Sequence, residues 1–246
     1  MQIKKKISTK LKKLLQADTF PNLQRSVIEL NNIDELKKVF RWSHSPLIND
    51  PRIYEFQYVE DVNERRLRDA ETIATGTCNI NPSICLEIGT AEGHGTALIA
   101  ENAPGSTVFT VNIPPEEAAT GVGGDLVTKA FGLEQIGHYY KNKEIQNIKQ
   151  IIANTATWTP EIGTIDFAFI DGCHDTRFVF NDTRKILSST KPGSFLLWHD
   201  FNLLLVNKYH WIHSVCLGVE KLMERKLLSG CIYHVKDSWV GVYCVQ

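Results

Sequence analysis

The residues best suited to binding a ligand form one glycine-rich run, Glu87-Ile-Gly-Thr-Ala-Glu-Gly-His-Gly95. A short apolar segment precedes this run, and a helix-like segment that contains Leu98 and Ile99 follows it. A strand, a glycine loop and a helix are therefore predicted to meet there. Glycine lets the chain leave the strand sharply, and it lets backbone amides come close to a ligand.

The carboxylate of Glu87 indicates which ligand such a loop would bind. A carboxylate at the end of the first strand repels a pyrophosphate, but it accepts hydrogen bonds from an ammonium group. The spacing of the glycines also differs from the Gly-x-Gly-x-x-Gly pattern of dinucleotide-binding loops. The run therefore favours the methionine end of S-adenosylmethionine over NAD. An ordinary strand-to-helix turn without a ligand is the alternative explanation of the same glycines.

Polar residues also stand where the later strands are predicted to end. In an open parallel sheet, ligands bind outside the carboxyl ends of the strands. Each of these residues alone could belong to a turn, but together they indicate one binding site. Besides Glu87, they are Asn112, Asn154, Asp171, His199 and Asp200.

Strand-like and helix-like runs alternate from Ile84 onward, which is typical of a mostly parallel sheet covered by helices on both faces. A short turn at Lys236-Asp-Ser238 indicates an antiparallel hairpin near the end of the chain, which the usual dinucleotide-binding fold lacks. The predicted strands are 84–88, 107–112, 148–152, 165–171, 195–199, 231–235 and 239–245, and the predicted helices are 94–102, 125–131, 175–190 and 206–228.

The first 80 residues are predicted to form a helical extension or cap before a domain at 81–246. Six lysines and no acid occur in the first thirteen residues, with apolar residues at helical spacing, so a basic amphipathic helix is expected there. Such a helix could bind an anionic surface, cover the domain or pack in a homodimer. Further helices are predicted at 33–40 and 62–75.

Composition limits the classes of function. The 246 residues are 43% hydrophobic and 22% charged, which suffices for one sizeable α/β domain. A formal net charge of −1, without an extended basic and aromatic patch, argues against nucleic acid as a substrate. No apolar run reaches the ~18 residues of a membrane span. Six scattered cysteines and no recognisable signal peptide lead us to expect reduced thiols in a cytoplasmic protein.

The chain from Ile84 to its end resembles the class I S-adenosylmethionine-dependent methyltransferases. The motifs Asp171-Gly-Cys-His174, Lys191-Pro-Gly193 and Leu197-Trp-His-Asp200 carry the resemblance. They are similar to those of O-methyltransferases that act on macrolide and aminocoumarin sugars, and to those of catechol-type, metal-dependent O-methyltransferases. The resemblance implies α/β architecture with a Rossmann-like, seven-stranded sheet, mostly parallel, that ends in an antiparallel hairpin.

The resemblance also implies how S-adenosylmethionine would be held. In relatives, the positions of Asn112 and Asn154 carry an acid that faces the cofactor. A neutral amide makes weaker hydrogen bonds to hydroxyl groups than a carboxylate does. The cofactor-binding residues that the resemblance implies are Glu87, Gly89, Thr90, Gly93, Gly95, Asn112, Asn154 and Asp171.

Asp171 and Asp200 would end neighbouring strands, where metal-dependent relatives bind Mg²⁺. His199 stands where some relatives carry a further acid, and it is a third candidate ligand that suits a transition metal better. Without a metal, Asp200 would simply cap the turn that follows it. A divalent cation, Mg²⁺ or another, is therefore an expected cofactor.

His174 is the predicted base, at the offset from Asp171 where catechol enzymes carry a lysine. Methyl transfer from a sulfonium is an in-line displacement, so the enzyme aligns the acceptor oxygen and removes its proton. Imidazole, with a free pKa near ~6.5, suits this task. Asp171 is counted with His174 among the predicted catalytic residues. A helix-start histidine bonded to a nearby carboxylate is the alternative interpretation of His174.

The sequence thus predicts an S-adenosylmethionine-dependent O-methyltransferase, assisted by a divalent cation, that acts on a hydroxyl of a small molecule or sugar. Two alternatives stay open: a metal-independent N-methyltransferase, and a non-catalytic methyltransferase-like protein that binds the cofactor or a partner. The segment 114–124 is a predicted lid over the acceptor, and 137–141 is expected to line the acceptor site.

Overall fold

A computed structural model describes residues 19–49, 62–119 and 131–246 of this chain. The predicted basic helix near the start of the chain, the predicted helix at 125–131 and the later part of the predicted lid lie outside these residues. Within the described ranges, no helix is both long enough and apolar enough to cross a membrane.

Eight strands form a single sheet in the order β1-β7-β8-β6-β5-β2-β3-β4. Only β8 runs antiparallel to its neighbours, β6 and β7, and all other pairs are parallel. The predicted class of fold and the C-terminal antiparallel hairpin are therefore confirmed. The strands are β1 (Val27–Leu30), β2 (Ile84–Ile88), β3 (Thr107–Asn112), β4 (Ile148–Ile152), β5 (Ile165–Ile170), β6 (Thr190–Trp198), β7 (Ile232–Val235) and β8 (Gly241–Cys244).

Helices cover both faces of the sheet because the central strands are apolar on both sides. Successive residues of a strand point to opposite faces, so Leu196 and Trp198 of β6 join one core while Phe195 and Leu197 join the other. The helices of the described residues are α1 (Leu23–Ser26), α2 (Ile33–Phe40), α3 (Val62–Ile80), α4 (His94–Asn102), α5 (Pro115–Ala119), α6 (His138–Asn142), α7 (Thr176–Leu187) and α8 (His210–Glu224). Residues of α7 and α8 belong to the first core, and residues of α2, α3 and α4 belong to the second.

The sheet has eight strands instead of the expected seven, because the segment before the domain contributes β1. This strand pairs in parallel with β7, from Val27 opposite Ile232 to Leu30 opposite Val235. The N-terminal segment, for which helices were expected, therefore also contains a strand. A four-residue edge strand whose middle residues are exposed has no periodicity that separates it from a helix. The predicted helices at 33–40 and 62–75 are confirmed as α2 and α3.

A buried carboxylate attaches this segment to the sheet. Glu220 of α8 is fully buried, and it accepts hydrogen bonds from the backbone N–H groups of Asn22 and Leu23 at 3.0 and 2.9 Å. It also accepts one from the Asn22 side chain at 2.7 Å. The start of α1 is thereby capped by a residue almost 200 positions later in the chain, which places β1 beside β7.

Replacing Glu220 by Ala should lower the free energy of unfolding by about 2–4 kcal/mol, because three donors lose a charged acceptor in a buried place. Urea denaturation measures the loss. Glu224→Ala is the matched control, since Glu224 is exposed on the same helix and its removal should change stability by less than about 0.5 kcal/mol. Equal losses in the two variants would show that Glu220 does not anchor the segment.

Candidate active site

The glycine loop after β2 is shaped by contact with the end of β5. The N–H of Asp171 donates to the carbonyl of Ile88 at 2.8 Å, which brings the two strand ends together. Gly89 lies between them with φ of 101°, and a Cβ there would stand 2.0 Å from the Asp171 carbonyl oxygen. Only glycine fits this position, because both the backbone conformation and the space exclude a side chain.

Glu87 lies beneath the glycine loop, and its carboxylate is buried with 1% exposure. The hydroxyl of Thr96 donates to it, and the hydroxyl of Thr110 donates to it at 2.6 Å. A Cβ at Gly95 would come within 2.6 Å of the same carboxylate. Glu87 therefore ties the start of α4 to β3, and its contact with the ammonium group of a ligand stays a prediction.

Thr90 and Gly93 also support the loop from behind. The Thr90 hydroxyl is hydrogen-bonded to that of Thr110 at 2.7 Å and accepts from the Gln150 side chain at 3.0 Å. Gly93 has φ of 90°, and a Cβ there would meet the ring of Tyr140 at 2.6 Å. The segment 137–141, expected to line the acceptor site, packs here through backbone hydrogen bonds from 137 and 139 to 91 and 92.

A cavity of about 270 Å³ opens at the carboxyl ends of the central strands, where the topology predicts ligand binding. Glu87, Thr90, Gly93 and Gly95 are absent from its wall, as the supporting contacts above explain. The predicted site residues that line the cavity are Gly89, Asn112, Asn154, Asp171, His174, His199 and Asp200. The predicted cofactor-binding and catalytic roles of these residues stay predictions.

The two amides in the wall make contacts that a carboxylate could not make in full. Asn112 accepts from the backbone N–H of Ala91 at 3.1 Å and donates to the carbonyl of Ile113 at 2.9 Å. It therefore holds Ala91, which has a positive φ of 46°, in the glycine loop. An amide offers a donor and an acceptor, whereas an ionised carboxylate only accepts.

Asn154, on the opposite wall, likewise uses its amide both as an acceptor and as a donor. Its carbonyl oxygen accepts from the N–H of Ala156 at 2.9 Å, and its amide nitrogen donates to Glu117 at 2.5 Å. Glu117 lies on α5, within the predicted lid, and brings an acid close to the cavity, a position that no motif indicated. An aspartate at position 154 would face Glu117 with like charge, so the amide is the compatible residue here.

Four ionisable residues meet at the ends of β5 and β6. Nε2 of His174 lies 3.0 Å from Oδ2 of Asp200. Nδ1 of His199 lies 3.0 Å from Oδ1 of Asp171 and 3.2 Å from Oδ2 of Asp200. The indole N–H of Trp211 donates to the other oxygen of Asp200 at 3.2 Å. Two carboxylates are thus interleaved with two imidazoles at the edge of the cavity.

The proximity of opposite charges controls the pKa values in this cluster. Burial alone would lower the pKa of His199, but the carboxylates of Asp171 and Asp200 raise its pKa well above the ordinary value. Burial likewise opposes charging of His174, and Asp200 and Asp171 outweigh it, so the pKa of His174 is raised. Burial would raise the pKa of Asp200, but His199 and His174 hold it far below its usual range. The imidazolium of His199, which faces both carboxylates, therefore balances their charge.

The cluster also satisfies the donor requirements of a metal ion. Asp171, His174 and Asp200 each offer one atom, and these atoms lie within 4.8 Å of one another. Two carboxylate oxygens and one imidazole nitrogen suit Mn²⁺, Fe²⁺ or Zn²⁺ better than Mg²⁺, which prefers oxygen alone. The group differs from the expected one, because His174 takes the third place and His199 lies between the two carboxylates.

Asp69 of α3 reaches the same cluster, although no motif marked it in the sequence. It is 6% exposed, and its Oδ2 lies 3.3 Å from Nε2 of His199. Its neighbours on the same helix include the buried Ala70 and Ile73, so an acid on an apolar helical face was the available signal. The segment before the domain therefore contributes a charged group behind the site.

Asp182 of α7 is a second buried acid that the sequence analysis left without a role. Its Oδ2 accepts from the Thr155 hydroxyl at 3.2 Å, and Oδ1 has no hydrogen-bond partner within the described part of the chain. Burial raises the pKa of Asp182 to about 7, against smaller opposing effects of Thr155 and Lys185. Asp182 thus lies directly behind the part of the cavity wall that Thr155 forms.

Comparison with known proteins agrees with the fold described above. Residues 86–201 match the family model described as a methyltransferase domain. No curated protein matches the chain in sequence. Among solved structures, SAH-bound PaMTH1, a methyltransferase from Podospora anserina, is 16% identical, with a TM-score of 0.56 over 89% of this chain and 98% of that one.

Two further solved structures have similar folds. The O-methyltransferase NovP is 12% identical, with a TM-score of 0.54 over 75% of this chain and 80% of its own. A candidate O-methyltransferase from Klebsiella pneumoniae is 15% identical, with a TM-score of 0.51 over 87% of this chain and 96% of its own. At such identities these likenesses establish the fold alone.

The sheet topology has a cavity at the carboxyl ends of its strands, and residues 86–201 match a methyltransferase domain. The fold of this chain is accordingly that of the Rossmann-like methyltransferases.

Replacing Asp182 by Asn should change how stability depends on pH. The folded pKa of about 7 lies above the ordinary value of 3.8, so the folded protein keeps a proton that the unfolded chain has released. Wild-type stability therefore falls as the pH rises from about 4 to 7, by up to about 4 kcal/mol, whereas the variant lacks this loss.

Urea denaturation at several pH values measures this difference between the variant and the wild type. Glu161→Gln, which neutralises an exposed acid, is the control and should follow the wild-type curve. A constant difference between Asp182→Asn and wild type across this range would contradict the buried, protonated state.

Proposed function

We propose that this protein transfers the methyl group of S-adenosylmethionine to a hydroxyl oxygen of a small molecule or sugar. The observation that carries the proposal is the meeting of Asp171, His174 and Asp200 at the edge of the cavity. A neutral hydroxyl is a poor nucleophile, so O-methylation needs a group that accepts its proton. An imidazole aligned by a buried carboxylate is such a group.

The glycine-loop side of the cavity is the proposed place of the methyl donor, and the acidic cluster is the proposed place of the acceptor. The donor would contact Gly89, Asn112 and Asn154, while Glu87, Thr90, Gly93 and Gly95 keep the loop in shape. The wall residues support this division, because those on the glycine-loop side are apolar or neutral and those on the side of the acidic cluster are charged. A cationic sulfonium between them would face Asp171.

The proposed reaction is a single displacement. The acceptor oxygen forms a bond to the methyl carbon while the carbon–sulfur bond breaks, and sulfur keeps the electron pair as S-adenosylhomocysteine forms. The hydroxyl proton passes to Nδ1 of His174, since Nε2 already faces Asp200 at 3.0 Å. Asp200 orients the ring and stabilises the imidazolium that results.

Asp171 and Asp200 are the residues proposed to hold a divalent cation. Their oxygens suit such an ion, and the nearby imidazoles favour a transition metal over Mg²⁺. When bound, the ion would lower the pKa of an acceptor hydroxyl next to it. His174 then serves as the base. If replacing His174 lowered the affinity for the metal as well as the activity, His174 would be assigned as a ligand instead.

Metal-independent N-methylation and cofactor binding without catalysis are the competing functions. Calorimetry with S-adenosylmethionine, followed by a labelled methyl-transfer assay on a panel of phenols, sugars and amines, separates the three. The proposal expects binding, labelling of a hydroxyl compound and loss of that labelling with EDTA. Labelling of amines only, with EDTA present, would favour N-methylation, and binding without any labelling would favour a non-catalytic role.

His174→Ala and Asp171→Asn should each reduce kcat for the hydroxyl acceptor by at least about 100-fold, because proton removal and acceptor alignment are lost. The affinity for S-adenosylmethionine should stay within about threefold, since most donor contacts lie on the other wall. His44→Ala is the control, because His44 is exposed and the main site does not include it. Full activity in both site variants would reject the mechanism.

A further inference from the structure

We propose that Asp69, which lies outside the matched methyltransferase region, is a positioning residue of the active site. It holds the ring of His199 so that Nδ1 faces the two site carboxylates, Asp171 and Asp200. The inference rests on the proposed function, because it assigns Asp69 to the support of the same carboxylate pair. Asp69 itself is absent from the cavity wall, so it acts through His199.

The contacts of His199 leave both ring nitrogens engaged. Nδ1 lies 3.0 and 3.2 Å from the two site carboxylates, and Nε2 lies 3.3 Å from Oδ2 of Asp69. The ring also meets Phe169 edge to face, with centroids 6.1 Å apart. Turning the ring over would present carbon atoms to these carboxylates, and a buried nitrogen without a partner is costly. The position of Asp69 therefore selects one ring orientation.

Asp69 is itself fixed by the turn between β7 and β8. Its Oδ1 accepts from the backbone N–H of Trp239 at 2.7 Å and from the hydroxyl of Ser238 at 3.1 Å. Ser238 is fully buried, and Asp69 is 6% exposed, so neither contact is replaced easily by water. One oxygen is thus occupied by the turn, and the other is directed at His199.

The chemistry of this position requires a carboxylate. Both oxygens of Asp69 face hydrogen-bond donors, and an ionised carboxylate accepts at both. An asparagine could keep its oxygen on the Trp239 N–H, but it would then present an NH₂ group to Nε2 of His199. That nitrogen would have to become an acceptor. Asp69→Asn therefore changes the hydrogen-bond role of Nε2 while keeping the size of the side chain.

The test compares wild type with Asp69→Asn and with Ser238→Ala. Long-range ¹H–¹⁵N spectra of histidine-labelled protein report whether Nε2 carries hydrogen, and His199→Asn assigns the signal. We expect hydrogen on Nε2 in the wild type, its loss in Asp69→Asn, and a wild-type signal in Ser238→Ala. Affinity for Mn²⁺, measured by electron paramagnetic resonance, should fall about tenfold in Asp69→Asn only.

Three results would overturn the inference. A wild-type Nε2 without hydrogen removes its basis, even if no variant folds. An unchanged His199 signal in Asp69→Asn shows that Asp69 does not set the ring, and so does an unchanged affinity for Mn²⁺ in a variant whose signal has changed. The outcome is separable from the proposed function, because a shifted His199 signal in a protein without methyl transfer supports the positioning role and rejects the O-methyltransferase assignment.

Discussion

The arrangement of the site depends on two carboxylates that the sheet forces together. Parallel pairing places Ile170 of β5 opposite Trp198 of β6, so Asp171 and Asp200 emerge next to each other at the rim. Two negative charges at the edge of a cavity repel unless positive charge lies between or beside them. His199 supplies it, with Nδ1 within 3.2 Å of an oxygen of each carboxylate. The residues of the two sequence motifs therefore also stabilise each other's charges at the strand ends.

The segment before the methyltransferase domain participates in this arrangement. Glu220 binds the start of α1, β1 extends the sheet beside β7, and Asp69 of α3 contacts His199. Hydrogen bonds therefore connect the residues before the predicted boundary at residue 80 with those after it at several places. A segment without a recognisable motif acts here on the geometry of the residues that carry the motifs.

The sequence predicted the parts of the fold that periodicity and strand-end chemistry determine. β2, β3 and β4 begin and end where expected, because each is a short segment rich in apolar and β-branched residues that is bounded by turn residues. The cavity also opens at the predicted rim. β1 was not predictable, because four residues give too short a pattern. The contacts of Glu87 with Thr96 and Thr110 were not predictable either, because an acid at a strand end suits a ligand as well as two hydroxyl groups.

The amides at positions 112 and 154 show how local hydrogen bonding can replace a familiar acid. The resemblance made them look like weakened cofactor contacts. In the structure each bonds one donor and one acceptor of the surrounding wall, which only a neutral amide can do without an unpaired group. The acid that sequence comparison expects at position 154 is provided nearby by Glu117, from a different element. Glu117 therefore places negative charge beside Asn154 from a different element, which a residue-by-residue comparison of motifs would miss.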